Sequence, residues 1–420
     1  MRASGSPGIS LLPCTRSRRE RPILHVEPDR PSRVLRLVPA FVYNAPPMRG
    51  AILFNGNAES DEWLVRAAAP FLATSRHQDP AVAAARRTLL VTAGWAEHEY
   101  DEAHVKRALN AAGFPSLFEE GFDRAHENLS LLNELDGVLA EAPELAEAFR
   151  ELRRAEATAR RFYLEHNAHT LDLFRRTLRE AKSEAPDTDL QSLLADMTHP
   201  TGPRALARHT LARELRRAFH TLESNDDHLF ELFGDIERRA FDAAGALYHP
   251  AFRAAKERLE ARILSSSNIF LFGGRLDLLL GALRFFRLRD VFVEALRRGA
   301  QIVAVSAGAM VLCERVIVYD DFAETPRDFQ LYDRGLGIVQ DIQIFPHCME
   351  RIQTDDGDNL AYLARRFRHH ACVGLNQRSL LLLDLSPRRA VSVGAGDGVY
   401  VFGPDGRKRC HRAGEEVAIS

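Results

Sequence analysis

The sequence contains few cysteines, and they are not arranged in pairs. They are Cys14, Cys313, Cys348, Cys372 and Cys410, and no two of them form a C-x-x-C spacing. Their odd number and wide separation argue against a disulfide framework and against a zinc site. This usage is typical of a protein in a reducing compartment, so we predict a cytoplasmic location and no metal or other cofactor.

The sequence also lacks a strong excess of charge and a long apolar run. Its formal net charge is -2, which favours neither a nucleic acid nor an anionic membrane as a partner. The most apolar stretch, residues 269–286, is interrupted by Arg275, Asp277 and Arg284, so it is a poor candidate for a membrane span. The arginine-rich N-terminus is not followed by an apolar core, and a secretory signal is not expected.

Enough apolar material is present for a sizeable core. Of the 420 residues, 45% are hydrophobic and 27% are charged, as is usual for a globular protein. Residues 1–47 are rich in Arg, Pro and Ser and show no sustained apolar period. We predict that they form a disordered tail and that the ordered chain begins at Met48.

Short apolar segments alternate with helical patterns in much of the chain. Residues 51–54, 88–94, 268–272 and 301–305 are continuous apolar runs, each typical of a strand buried on both faces. This alternation predicts an α/β fold with three layers, in which helices cover both faces of a mostly parallel sheet. Further segments predict an antiparallel or mixed edge. They are residues 371–375, 380–385, 390–393 and 399–402.

A long helical region interrupts the β-α rhythm. Residues 121–254 contain apolar side chains at helical spacing, with Arg and Glu between them and prolines at several points. A connection of this length is far longer than a usual loop, so we predict an insertion of several helices with its own packing. A lid, a dimerisation surface and a partner-binding arm remain open as its roles, beside a purely stabilising one.

Ser306 follows directly on a predicted strand. The segment V-A-V-S-A-G-A-M at 303–310 places the serine between a buried strand and a helix, with small residues on both sides. Such a turn is typical of a nucleophile elbow, which lifts a serine hydroxyl above the carboxyl edge of the sheet. The alternative is a serine that only caps the following helix.

Four segments in chain order carry a resemblance to a known family. They are F-G-G at 272–274, S-A-G-A at 306–309, P-H-C-M-E-R at 346–351 and V-G-L-N-Q at 373–377. With them the chain resembles the serine peptidases of the class I glutamine amidotransferase-like fold, the group of peptidase E and cyanophycinase. The resemblance implies a hydrolase domain formed by residues 48–120 and 255–420, with the helical insertion between the two parts.

The resemblance also implies a role for each matching residue. Ser306 would attack the acyl carbon, and His347 would take its proton and later pass it to the leaving amine. The backbone N–H groups of Ala307 and of Gly273 or Gly274 would form the oxyanion hole. Glycine is needed at positions 273 and 274 because the backbone must approach the reacting carbonyl closely.

The acid that orients the histidine is less directly indicated. Asp321 lies fifteen residues after Ser306, at the same ungapped distance as an acidic residue of peptidase E, and the neighbouring Asp320 is a rival. The family usually has a glutamate in its final strand, but this chain has Gln377 there. We favour Asp321 as the third catalytic residue, whereas a chain relying on Gln377 would be a slow Ser-His dyad.

The substrate is predicted only as a class. The family commonly has Asp or Asn and then Gln after the glycine pair, but this chain has Arg275 and Leu276. We predict that Arg275, Arg351 and Gln377 face the substrate and that the arginines favour a carboxylate. The leading hypothesis is a hydrolase of small peptide or isopeptide amides, with a homodimer as one possible assembly. The alternative is a weak or inactive relative that binds a ligand or protein through its insertion.

Overall fold

The computed structural model describes residues 48–195, 203–319, 329–394 and 396–419. The predicted tail, residues 1–47, lies outside these ranges, as do Asp320 and Asp321. The helices of the described part are α1 Asp61–Leu72, α2 Pro80–Ala85, α3 Ala103–Ala111, α4 Leu131–Glu141, α5 Pro143–Glu184, α6 Leu190–Ala195, α7 Pro203–Ala243, α8 Pro250–Leu264, α9 Leu276–Phe285, α10 Arg289–Arg297, α11 Ala307–Leu312, α12 Cys348–Arg351 and α13 Gly357–Arg366. The strands are β1 Ala51–Asn55, β2 Thr88–Val91, β3 Phe118–Glu119, β4 Phe122–Asp123, β5 His126–Asn128, β6 Asn268–Leu271, β7 Gln301–Val305, β8 Arg315–Tyr319, β9 Phe329–Arg334, β10 Ile342–Pro346, β11 Ala371–Leu375, β12 Leu380–Leu385, β13 Arg388–Ser392, β14 Val399–Phe402 and β15 Lys408–His411.

The main sheet has seven strands in the order β13-β12-β1-β7-β6-β2-β5. The five strands from β1 to β5 in this order are parallel to their neighbours, whereas β12 and β13 are antiparallel. The prediction of a mostly parallel sheet is confirmed. Each parallel strand ends at the same edge, where ligands bind in such sheets.

Helices cover both faces of this sheet, which explains the continuous apolar runs. Ile52 and Phe54 of β1 pack into a cluster with α4, α8, α9 and α10. Leu53, which points to the opposite face, packs with α1 and α3. Because successive residues of a strand point to opposite faces, a strand covered on both sides needs apolar residues throughout. The predicted three-layer arrangement is confirmed.

Four strands form a second sheet in the order β10-β11-β14-β15. Strand β10 is parallel to β11, and the other pairs are antiparallel. The expectation of an antiparallel edge on the main sheet holds for β12 and β13, but it is wrong for β11 and β14. Apolar content indicates that a segment is a strand, whereas its partner depends on contacts far away in the sequence.

The predicted insertion consists mainly of two long helices. Helices α5 and α7 have 42 and 41 residues. They run antiparallel, since Tyr163 bonds Asp226, while Phe174, further along α5, packs on Phe219, earlier in α7. The prediction of several helices is confirmed. Despite these lengths, none of the helices in the described ranges is apolar enough to cross a membrane.

The predicted start of the insertion at residue 121 is too early. Strand β5 lies after that position and pairs with β2, with His126 opposite Thr88 and Asn128 opposite Leu90. The predicted end at residue 254 falls inside α8, which packs against the main sheet. A strand of three residues with the sequence His-Glu-Asn has no apolar period, so hydrophobic patterning does not detect it.

Candidate active site

Ser306 occupies the turn between β7 and α11. Its φ is 49° and its ψ is -114°, a conformation that a non-glycine residue rarely adopts. The strain is held by hydrogen bonds, because the Ser306 N–H donates to Asn55 O at 3.0 Å and its carbonyl accepts from the N–H of Ala309 at 3.0 Å. Backbone strain of this kind clusters at functional sites, and the strand-turn-helix context is that of a nucleophile elbow.

The residues around this turn must be small. A Cβ atom on Gly308 would lie 2.1 Å from the carbonyl oxygen of Leu271, and one on Gly273 would lie 2.9 Å from Ser306 Cβ. Backbone atoms cannot move aside as the end of a flexible side chain can. The glycines at these two positions therefore let strand β6, the glycine pair and the serine turn approach one another closely.

Substitution of Gly308 by alanine is expected to lower stability and activity together. The new methyl group would overlap Leu271 O, and overpacking of this kind costs about 1–3 kcal/mol. The measurement is the thermal melting temperature, followed by turnover at a temperature where the variant is folded. Gly137→Ala is the matched control, since a Cβ there meets open space on helix α4. It should stabilise the protein by about 0.5–1 kcal/mol. An unchanged melting temperature in Gly308→Ala would contradict the steric argument.

His347 reaches Ser306 from the second sheet. It follows β10 directly, with φ 51° and ψ 38°, and its Nε2 lies 3.3 Å from Ser306 Oγ. Its side chain is 18% exposed. The nucleophile and the base predicted from the sequence are therefore close in space, near the hydrogen-bond distance that proton transfer between them requires. Each of the two sheets contributes one member of this pair.

The turn that carries His347 is braced by strand β11 and the residue after it. The N–H of Met349 donates to Asn376 Oδ1 at 2.9 Å. Gly374 leaves room for Cys348, because a Cβ on that glycine would lie 2.4 Å from the cysteine Sγ. Burial raises the pKa of the Cys348 thiol to about 12. The thiol is therefore protonated at neutral pH and is not a competing nucleophile beside the histidine.

The predicted oxyanion-hole residues lie together at the serine. Ala307 begins α11, and a Cβ on Gly273 would lie 3.3 Å from its backbone nitrogen. Gly274 has φ 111°, which favours glycine. Sequence reasoning missed Gly94, which packs against this pair. A Cβ on Gly94 would lie 2.3 Å from Gly273 O, and its carbonyl accepts from the Arg275 N–H at 2.6 Å.

The predicted substrate-binding residues differ in their surroundings. The Arg275 guanidinium is exposed and makes two hydrogen bonds, of 2.9 and 2.7 Å, to the Asp277 carboxylate. This pairing holds the pKa of Asp277 below its usual range. Gln377 is exposed, and its backbone carbonyl accepts from Asn55 Nδ2 at 3.1 Å. Arg351 is the last residue of α12, the short helix that follows His347.

A carboxylate that the sequence reasoning missed contacts the histidine. Glu350 Oε2 lies 3.2 Å from His347 Nδ1, on the side of the ring away from Ser306. The Glu350 side chain is 66% exposed. Its signal in the sequence was the i, i+3 spacing across a short helix, which brings two side chains to one face. Asp321, the predicted acid, lies outside the described residues and stays a prediction.

No cluster of metal-binding side chains appears in the described ranges, where three or more His, Cys, Asp or Glu residues do not gather. Three of the cysteines, Cys313, Cys348 and Cys372, are buried there, and desolvation raises the pKa of each thiol to about 12. Neutral buried thiols of this kind are structural. These three cysteines are therefore not candidate nucleophiles.

Comparisons with known proteins bear on this arrangement of Ser306 and His347. Residues 242–386 match the model of peptidase family S51. No curated protein matches the chain. Among solved structures, the crystal structure of a peptidase from an acI-B1 Actinobacterium aligns with 89% of this chain and 98% of its own, at 12% sequence identity and a TM-score of 0.45.

The matched segment contains the features on which the resemblance rests. It begins within α7 and ends after β12, so it includes the glycine pair, the serine turn and the histidine turn. It excludes helix α5 and the main-sheet strands β1, β2 and β5. The resemblance seen in the sequence is confirmed: over residues 242–386 this chain is similar to peptidase family S51, the family of peptidase E-like enzymes.

Proposed function

We propose that this protein is a serine hydrolase that cleaves a small peptide or isopeptide amide bond. The observation that carries the proposal is the 3.3 Å approach of His347 Nε2 to Ser306 Oγ at a strained strand-to-helix turn. A serine that only caps a helix needs neither the strain nor a histidine beside its hydroxyl. The similarity to a peptidase family supports the same chemistry.

The proposed reaction follows from this arrangement. His347 Nε2 accepts the hydroxyl proton as Ser306 Oγ attacks the acyl carbon, and the same nitrogen then protonates the leaving amine. The N–H groups of Ala307 and of Gly273 or Gly274 stabilise the oxyanion. A water molecule hydrolyses the acyl-enzyme in a second cycle of the same proton transfers.

The proposal is tested by covalent labelling and by a substrate screen. A fluorophosphonate probe should label the protein at Ser306, and a dipeptide and isopeptide library should yield a hydrolysed substrate. Ser306→Ala is the control in both experiments. A protein that neither reacts with the probe nor hydrolyses any library member would contradict the proposal and favour a binding scaffold.

The partner of His347 Nδ1 is tested by a Glu350→Gln variant. Exposed ion pairs are worth about 0.2–1 kcal/mol, so kcat/KM should fall by up to roughly fivefold. The measurement is kcat/KM on the best substrate of the library, with the melting temperature as a check of folding. An unchanged kcat/KM would show that Glu350 does not orient the histidine.

Two further variants complete this test. Asp321→Asn should reduce activity more than Glu350→Gln does. The expected loss is on the order of 10⁴-fold in kcat, because an amide in place of a triad acid stabilises the wrong histidine tautomer. Gln377→Glu restores the acid that the family usually carries. A small effect of Asp321→Asn together with a strong gain in Gln377→Glu would show that the assignment of Asp321 is wrong. The natural protein would then be a dyad enzyme.

A further inference from the structure

The chain between Ser306 and His347 contains a hairpin that belongs to neither large sheet. Strand β8 follows helix α11, and β9 precedes β10, the strand that leads into His347. The two strands pair only with each other in the described part of the chain. A two-stranded hairpin is marginally stable by itself, so its position depends on what packs against it.

Helix α5 of the insertion supplies contacts to β9 that a third strand would otherwise provide. The hydroxyl of Tyr163 accepts a hydrogen bond from the Leu331 N–H at 3.0 Å. Nε of Arg160 donates to the carbonyl of the next residue, Tyr332, at 3.0 Å. Two side chains three residues apart on α5 thus bind the backbone of two consecutive residues of β9. Helix α5 therefore replaces a neighbouring strand with side-chain donors and acceptors.

The hydroxyl of Tyr163 is also held on its other side. It donates to Asp226 Oδ1 of α7 at 2.6 Å and accepts from Arg366 Nη2 of α13 at 3.0 Å. These bonds are buried, since the Arg366 and Asp226 side chains are 0% and 1% exposed. Burial raises the pKa of Tyr163 well above its usual range, so the hydroxyl keeps its proton and this pattern of bonds. The position of β9 is thereby tied to three helices through one oxygen atom.

The far end of β9 is tied to the helix that follows the glycine pair. Arg284 of α9 donates to Asp333 at 2.6 Å, and it also bonds Glu156 of α5 and Glu237 of α7. Arg160 reaches the same Asp333 carboxylate at 3.3 Å. The two long helices therefore contact both the segment joining the serine to the histidine and the helix after the predicted oxyanion-hole glycines.

We propose that helix α5 positions the catalytic pair and that Tyr163 and Arg160 are positioning residues, acting through β9. The inference rests on the proposed function and gives the helical insertion a role in it. Tyr163 does not touch the reacting atoms in this role. It restricts the hairpin through which the nucleophile and the base are joined, so its loss affects the alignment of the pair rather than substrate binding.

The test uses Tyr163→Phe in the full chain and a fluorophosphonate as the probe. The maximal rate of Ser306 labelling should fall roughly 10- to 100-fold, the scale of a small misplacement of reacting groups. The probe concentration that gives half of that rate should not change. Amide hydrogen exchange across β9 should become faster, because the Leu331 N–H loses its acceptor.

Tyr362→Phe is the matched control. Its hydroxyl accepts from Arg366 Nη1 at 2.7 Å, so the substitution removes the same group from the same buried network. The bond to Leu331 N–H is kept, and labelling should proceed at the rate of the unmodified protein. Arg160→Lys is a milder second variant, which keeps the charge near Asp333 but loses the Nε–H that bonds Tyr332 O. It should also slow labelling.

The outcomes separate this inference from the proposed function. If the unmodified protein is labelled at Ser306 but neither Tyr163→Phe nor Arg160→Lys slows labelling, the positioning role is overturned. Equal slowing in Tyr163→Phe and Tyr362→Phe would also overturn it, since loss of the buried network alone would then explain the effect. If the unmodified protein is not labelled at Ser306, the proposed function fails first, and the positioning role fails with it.

Discussion

Replacement of Ser306 by alanine is expected to reduce kcat on the order of 10³-fold or more while the protein stays folded. The substitution deletes the nucleophile of the Ser-His pair. The catalysis that remains comes from the oxyanion hole and from substrate binding. The hydroxyl is not needed by the turn, because the hydrogen bonds that hold Ser306 in its strained conformation are made by its backbone.

The measurement is kcat on the best substrate of the library, with melting temperature and circular dichroism as checks of folding. Ser379→Ala is a suitable control, since it removes the hydroxyl of another serine, which lies directly before β12. That hydroxyl donates to Gly398 O at 2.6 Å and should matter for stability rather than for turnover. Undiminished turnover in purified Ser306→Ala would overturn the mechanism.

Replacement of Asp226 by alanine is expected to cost about 3–5 kcal/mol of the free energy of unfolding. Asp226 accepts two hydrogen bonds from Arg366, of 2.7 and 2.6 Å, and both side chains are almost completely buried. Without the carboxylate the guanidinium stays buried beside Tyr163 and loses the acceptor of both hydrogen bonds. Loss of one partner of a buried pair is costly for this reason, even where the intact pair contributes little.

The next residue in the chain is the control. Asp227 bonds Arg315 at 2.7 Å, but its side chain is 64% exposed. Asp227→Ala should therefore cost at most about 1 kcal/mol, the usual range of a surface ion pair. Urea denaturation of both variants measures the difference. Equal losses of stability in Asp226→Ala and Asp227→Ala would contradict the claim that burial makes the first pair critical.

Local sequence determined the strands that place the serine. The continuous apolar run of β1 predicts burial on both faces, and Ile52 and Leu53 do pack on opposite sides. The serine turn was also predictable, because a strand that passes directly into a helix through Ser306 requires small neighbours such as Gly308. These features depend on residues adjacent in the chain, whose sterics and periodicity are visible without the fold.

The pairing of distant segments was decided by tertiary structure. Strand β5 has the polar sequence His-Glu-Asn and becomes a strand only because β2 offers a free edge. The hairpin of β8 and β9 and the separate second sheet were likewise not predicted. Strand pairing stabilises a segment through hydrogen bonds to its partner. The sequence of a short polar segment does not indicate which strand that partner is.

The partners of individual side chains were decided in the same way. The spacing of Arg275 and Asp277 does not predict a contact, yet the turn into α9 lets them form two hydrogen bonds. Glu350 contacts His347 because that histidine has φ 51° and lies directly before a helix of one turn. The sequence determined which groups can do chemistry at this edge of the sheet, whereas backbone angles and distant contacts decided which of them meet, since an ångström of displacement makes or breaks each bond.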